Sequence, residues 1–379
     1  MIPTISQLPL VQLASGDLFS LQIYKFIGST PGKKAYLQAN LHGAEIVGNA
    51  VIHQLIEFLI TLNPTNIAGE IWLVPLCNPF STNQRTHYFS TGRFNIYDGK
   101  DWNRIFWDFE KECKDLEIFV KTQLNFDADV IRENYLQRIK QNFEKLADKI
   151  NSPSGAPLSE LYRYQLQSLC LDGNYVIDIH SSSNHGIDYI YGFKGREESA
   201  KAFLLDYEIL LNEYDGDAFD EAFLKPWLAL EDALAQQGKP IQFDLESWTL
   251  ELGSGMQMNP ESVAKGVRGI KNYLAQKGIL SIPGFLLPET ATHQINYTRK
   301  TQLKKYYAPL GGVIQNRLNL GTYVTAKERV YQIIAFNKEG KLPAIIDVKA
   351  EKSGIIFDLS TNHSVNQAEY VLTILETDS

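Results

Sequence analysis

Residues 33–59 read KKAYLQANLHGAEIVGNAVIHQLIEFL. The first third has the residue types of an extended strand, the last part is an almost wholly apolar helix, and His42-Gly43-Ala44-Glu45 stands at the join. A strand running straight into a helix is the building unit of α/β folds. Side chains on such a turn project beyond the carboxyl end of the sheet, where ligand sites of open α/β folds collect. His42 and Glu45 can therefore converge on one point and hold a metal ion. The alternative is an ordinary surface turn with a capping carboxylate.

Further extended signals follow the same logic: LFSLQIYKFIG, GEIWLVPLCNP, GNYVIDIHSS, GIDYIYGF and IQFDLESWTLELG alternate with helical segments. This predicts an α/β fold, a mostly parallel or mixed central sheet flanked by helices. One helix is well bracketed, with Asn259 as cap, Pro260 at the first helical position and Gly278 as the stop. Residues from about 105 to 172 are rich in Lys, Glu, Leu and Phe at helical spacing and read as an insertion between two strands. Packing over the sheet is the simpler role for it, and a lid over the site is the rival. After Gly284 the pattern becomes short strands and turns, and it repeats: APLGGVI from Ala308 is answered by AEKSGII from Ala350, and ERVYQII by EYVLTIL. Two related β-units suggest a small pseudo-symmetric β-domain. The expected division is 1–287 for the α/β domain and 288–379 for the β-domain.

Composition narrows the function. A net charge of −8 with no long Lys/Arg run argues against a nucleic-acid surface. The N-terminus lacks a basic stretch followed by an apolar one, and no window of 18 apolar residues exists, so neither a signal peptide nor a membrane span is expected. Cys77, Cys113 and Cys170 are scattered and form neither a disulfide framework nor a thiolate zinc site. A cytoplasmic protein with reduced cysteines is expected.

The H-x-x-[DE] spacing occurs twice, at His42/Glu45 and His185/Asp188, and chance alone gives roughly one. Context separates them. A catalytic zinc site needs three His/Glu-type ligands and an open position. His180, which closes the apolar strand NYVIDIH, supplies the third; His185/Asp188 lies past that strand end and reads as a loop feature.

Between the two ligand regions runs VPLCNPFSTNQRTHYFSTGRFNIYDGKDWNRIF, residues 74–106. The order H-x-x-E, N-P, R-x9-N-R with Asp two before the Asn, strand-His and T-L-E-L-G resembles the zinc carboxypeptidase superfamily. Within it, the pattern is most similar to the succinylglutamate desuccinylase/aspartoacylase family, which looks alike also in its C-terminal barrel-sandwich-like domain. The resemblance implies one zinc ion on His42, Glu45 and His180. It also implies a general base at Glu251, with Glu246, an odd number of residues away, facing the opposite side of the strand. Arg93 would stabilise the oxyanion, Arg85 being its rival, and Asn103 and Arg104 would hold a substrate carboxylate. Asp101 would accept a hydrogen bond from the far ring nitrogen of a ligand histidine, expected to be His42. Trp102 replaces the Leu common in this motif, which leaves the adjoining substrate pocket open to a different shape. Tyr189 and Tyr191, in the strand after His180, could line the site, although YIYGF reads more simply as ordinary sheet.

The expected activity is hydrolysis of the amide of an N-acyl amino acid. The rivals are a carboxypeptidase acting on short peptides, which shares the machinery, and a non-catalytic binding or carrier scaffold. For the carrier, Lys338 or Lys341 in AFNKEGKL would be the modified lysine, but the setting of such a lysine is missing and a plain hairpin is the simpler reading.

Overall fold

The computed structural model describes residues 1–88, 90–211 and 216–377. In chain order the strands of the main part are β1 (Thr4–Gln12), β2 (Leu18–Ile27), β3 (Thr30–Ala39), β4 (Ala68–Val74), β5 (Tyr175–Ser182), β6 (His185–Gly186), β7 (Tyr189–Phe193), β8 (Tyr207–Leu211), β9 (Glu246–Ser254) and β10 (Asn296–Arg299). Nine of them form one sheet in the order β1-β2-β4-β3-β5-β9-β7-β8-β10. The pairs β3–β4, β3–β5, β5–β9, β7–β8 and β8–β10 are parallel, so the sheet is mixed but mostly parallel. Every strand expected from the sequence is present; β1, β8 and β10 were not foreseen.

Helices α1 (Val47–Ile60), α2 (Pro79–Thr82), α3 (Phe109–Glu112), α4 (Leu116–Gln123), α5 (Ala128–Ile150), α6 (Leu158–Ser168), α7 (Glu197–Ala200), α8 (Phe219–Gln236) and α9 (Pro260–Gln276) cover the sheet. Residues of β3, β5 and β9 alternate between two buried clusters, as the two-residue period of a strand requires. Leu37, Ile177, Ile179, Trp248 and Leu250 pack under α1 and α9. On the opposite face Tyr36 and Val176 meet α5, α6 and α8 through Tyr135, Phe143, Leu166 and Trp227. The Asn259 side chain caps α9 by accepting from the Glu261 N–H at 2.9 Å.

The expected helical insertion is realised as α3 to α6. Its apolar stripe Ile131, Tyr135, Ile139 and Phe143 is buried against the sheet side, and no residue of 105–172 lines the main cavity. It packs; it is not a lid. Trp102 is buried and stacks on Phe80 at 5.7 Å between ring centroids, which accounts for its size in terms of core filling. Cys77 and Cys170 are buried thiols, while Cys113 is half-exposed beside Arg138.

Eight further strands follow: β11 (Leu303–Tyr307), β12 (Gly312–Gln315), β13 (Tyr323–Val324), β14 (Arg329–Ala335), β15 (Ala344–Lys349), β16 (Gly354–Leu359), β17 (Ser364–Val365) and β18 (Tyr370–Glu376). They form two small sheets, β11-β18-β16-β13 and β15-β14-β12-β17, around one apolar cluster. The sequence repeat has a structural counterpart: β12 pairs antiparallel with β14 in one sheet and β16 with β18 in the other. Residues 336–343 form the tip of the β14–β15 hairpin, where Lys341 pairs with Glu339 at 2.7 Å and the Asn337 side chain accepts from two backbone N–H groups. That is an ordinary turn. The small domain is stitched to the large one by β6, which pairs with β16, and by Ile209, Phe357 and Leu375 packed together.

Candidate metal centre and active site

The turn between β3 and α1 spans residues 40–46, so Glu45 lies just ahead of the helix rather than in its first turn. Asn40 sits at φ 69°, a left-handed conformation that Asn tolerates better than most residues. From there its amide donates to the carbonyls of His42 and Gly43, each at 3.1 Å, and of Glu45 at 3.3 Å. Gly43 leaves no room for a side chain, because a Cβ there would lie 2.2 Å from the Ser81 carbonyl oxygen. The turn is thus fixed by its own residues before any ligand binds.

His42, Glu45 and His180 are buried, and one potential ligand atom from each lies within 4.8 Å of the others. His42 Nδ1 is 2.9 Å and His180 Nδ1 2.7 Å from the two oxygens of Glu45. The far nitrogens are backed by carboxylates: His42 Nε2 lies 3.0 Å from Asp101 and His180 Nε2 2.9 Å from Asp178. A neutral imidazole has one proton to give. If it goes to the backing carboxylate, the Nδ1 lone pair is left facing Glu45, an arrangement that a shared cation would complete. Two imidazoles and a carboxylate, without thiolates, suit zinc with an open position. Burial opposes ionisation of Glu45, but the imidazoles of His42 and His180 hold its carboxyl well below the usual range. The donor set therefore fits one divalent ion.

Glu251 lines the same cavity, on the strand beside His180. Its Oε2 is buried without a hydrogen-bond partner, and burial pushes its pKa up to about 7. Glu246 faces the other side of β9, where Tyr273 and Lys277 bind its carboxylate at 2.7 and 2.5 Å.

Arg93 reaches the cavity with its Nε 2.9 Å from Asp101, which leaves the terminal nitrogens of the guanidinium free of that pair. Its carbonyl also accepts from the Trp102 N–H at 3.1 Å, tying the two loop strands together. Arg85 instead closes on the carbonyls of Thr82 and Gln84, outside the cavity. Arg104 and Asn103 both line the cavity. Asn103 Oδ1 is engaged by the Phe219 N–H at 2.9 Å, so only its Nδ2 can serve a ligand. His185 and Asp188 part company: His185 lies 3.3 Å from the Ser254 hydroxyl and Asp188 pairs with Lys265.

A profile described as the succinylglutamate desuccinylase/aspartoacylase catalytic domain matches residues 31–150. The chain is similar along its whole length to a crystal structure from Shewanella amazonensis assigned to that family, with TM-score 0.86, 25% identity, and 98% of each chain covered. A second such structure, from Shewanella frigidimarina, has TM-score 0.89 at 25% identity, covering 99% of this chain and 97% of the other. The chain thus resembles the succinylglutamate desuccinylase/aspartoacylase family, in sequence over residues 31–150 and in fold over nearly its whole length. The chain is also similar to N-alpha-acetyl-L-2,4-diaminobutyric acid deacetylase of Halomonas elongata, 25% identical over 235 residues, and spans 62% of that protein's length with 59% of its own.

The cavity measures about 530 Å³, and two features around it escaped the sequence reading. Asp178 stands two residues before His180 on the same strand face, and the i,i+2 spacing could have revealed it. It also accepts from Gln38, which accepts from Tyr36, so a buried chain of hydrogen bonds leads away from the ligand. Of the two readings open for Tyr189 and Tyr191, the structure has both residues lining the cavity. One wall comes from the small domain, through Phe357, Asp358, Tyr370 and Thr373, a contact between residues too far apart in sequence to be read from it.

Proposed function

We propose that the protein is a zinc-dependent hydrolase of the amide bond in an N-acyl amino acid. The observation that carries this is the convergence, in one cavity, of the His42–Glu45–His180 trio with Glu251, Arg93 and Arg104.

A divalent ion bound there would lower the pKa of a water and polarise the substrate carbonyl. The remaining work falls to the chain's own side chains. Glu251, poised near neutrality, takes the proton of the attacking water and hands it to the leaving nitrogen. Arg93, steadied through Nε by Asp101, directs its free N–H groups at the oxygen that gains charge. Arg104, with the Nδ2 of Asn103, holds the carboxylate of the amino-acid part, for which a planar fork is well shaped.

The wall supplied by Phe357 and Tyr370 narrows the cavity and favours a small acyl amino acid over a peptide. The relative from Halomonas elongata, named for deacetylation of an acetylated diamino acid, supports the same class of chemistry. The test is turnover of a panel of N-acyl amino acids and short peptides by protein reconstituted with zinc. Hydrolysis of the acyl amino acids, lost on chelation and regained on adding zinc back, is expected. Release of C-terminal residues from peptides at higher kcat/KM would move the protein to the carboxypeptidases, and no turnover together with no bound metal would leave a scaffold.

A further inference from the structure

We propose that the cavity selects N-acyl amino acids whose side chain carries a cation, an ammonium or a guanidinium, and that Asp220 makes the selection. The proposal rests on the deacylase reading above.

Asp220, in the first turn of α8, is only 4% exposed yet lines the cavity. Burying a carboxylate without a positive partner is costly, and proteins pair such groups. Elsewhere in this chain they do: Asp108 binds Lys225 at 2.7 Å, Glu246 binds Lys277, and Asp178 backs His180. No Lys, Arg or His among the described residues forms an ion pair with Asp220. Glu208 is likewise unpaired, but it does not line the cavity. Apart from Glu251, assigned above as the base, Asp220 is therefore the cavity-lining buried acid whose complement can arrive with a ligand.

A second group, on another element and within reach of Asp220, points into the same place. Thr249 is 5% exposed, lines the cavity and has a hydroxyl without a well-formed hydrogen bond. It lies beside Asp220 and, two residues before Glu251 on β9, on the same strand face as the base. A carboxylate and a hydroxyl acceptor side by side form a site for an N–H donor.

Geometry relates this subsite to the carboxylate clamp. The N–H of Phe219, the residue next to Asp220, donates to Asn103 Oδ1 at 2.9 Å. An amino acid whose carboxylate rests on Asn103 and Arg104 has its side chain within reach of Asp220. The rim lysines Lys300 and Lys305 also border the cavity, but both are exposed and screened by solvent and salt. Burial raises Asp220 to about 6, and it remains largely ionised at neutral pH.

The test compares N-acetyl derivatives of 2,4-diaminobutyrate, ornithine and lysine with those of the neutral norvaline and norleucine, using the zinc-loaded full chain. A charge-assisted hydrogen bond corresponds to roughly 10- to 100-fold in kcat/KM, and a preference of that size for at least one cationic member is expected. In Asp220→Asn the preference should fall to within about threefold, mainly through KM. Should that variant misfold, Thr249→Val, close in shape, should reduce the same ratio. Equal or better hydrolysis of neutral members by the wild type overturns the selection and leaves the deacylase reading standing. If no member is hydrolysed, that reading falls, and calorimetry with free ornithine, lysine and norleucine decides separately. Binding of the cationic amino acids that is lost in Asp220→Asn upholds the subsite; binding without charge preference, or none, removes it.

Discussion

His180 and Glu251 are register partners on adjacent parallel strands, β5 and β9. A metal ligand and the proposed base are thereby held side by side by the backbone hydrogen bonds of a sheet rather than by a loop. Glu251→Gln should keep fold and metal content, since the amide is nearly isosteric, while kcat falls by about 10²- to 10⁴-fold because the amide cannot take a proton. Metal analysis alongside turnover checks this; wild-type kcat in the variant would place the base elsewhere.

Asp178 and Asp101 each back one histidine, but only Asp101 also holds Arg93. Asp178→Asn should weaken zinc binding by about 10- to 100-fold with kcat of the saturated enzyme little changed. Asp101→Asn should weaken zinc and lower kcat as well. Competition against a chelator gives the first quantity and turnover at saturating zinc the second. Identical behaviour of the two variants would contradict the separate attachment of Arg93.

Arg104→Ala should erase the preference for a free carboxylate over its methyl amide, roughly 10- to 100-fold in kcat/KM, without touching metal content. Arg93→Ala should depress kcat on acid and amide alike, since the oxyanion forms in both. Acid and amide rates that are equal in the wild type would remove Arg104 from the clamp.

Much of this architecture was legible in the sequence because strands buried on both faces write themselves as apolar runs, as in Tyr36–Leu37 and Val176–Ile177. Strand β1 was hidden by its amphipathic edge pattern, with Ile5 exposed and Leu10 buried. β10 comprises only four residues and is defined by pairing with β8. The trio was legible because two of its members share one turn and the third ends an apolar strand. Asp220 was not, since Thr249 comes beside it, and Asn103 bonds to its neighbour Phe219, only through the tertiary fold.

Glu208 on β8 is fully buried, both of its oxygens lack partners, and burial raises its pKa to about 8. The folded state therefore keeps a proton that the unfolded chain, with the ordinary glutamate value of 4.5, releases. Its contribution is present in full below the unfolded value and is lost as pH rises toward the folded one, so stability falls between about pH 4.5 and 8, by up to a few kcal/mol. Glu208→Gln should flatten that slope and raise the denaturation midpoint at pH 8 relative to wild type. Urea titrations of both proteins at pH 5 and pH 8 measure it; parallel pH profiles would show that Glu208 is ionised in the folded protein.

Asp358, on β16 of the small domain, accepts from the Ser182 hydroxyl, from Asn184 at 3.5 Å and from Tyr370 at 2.5 Å, and Ser182 lies two residues beyond His180 on β5. The seam between the domains therefore runs through the strand that carries a metal ligand. The same seam makes the centre a reporter: heat or denaturant that detaches the small domain should release the ion in the same cooperative step.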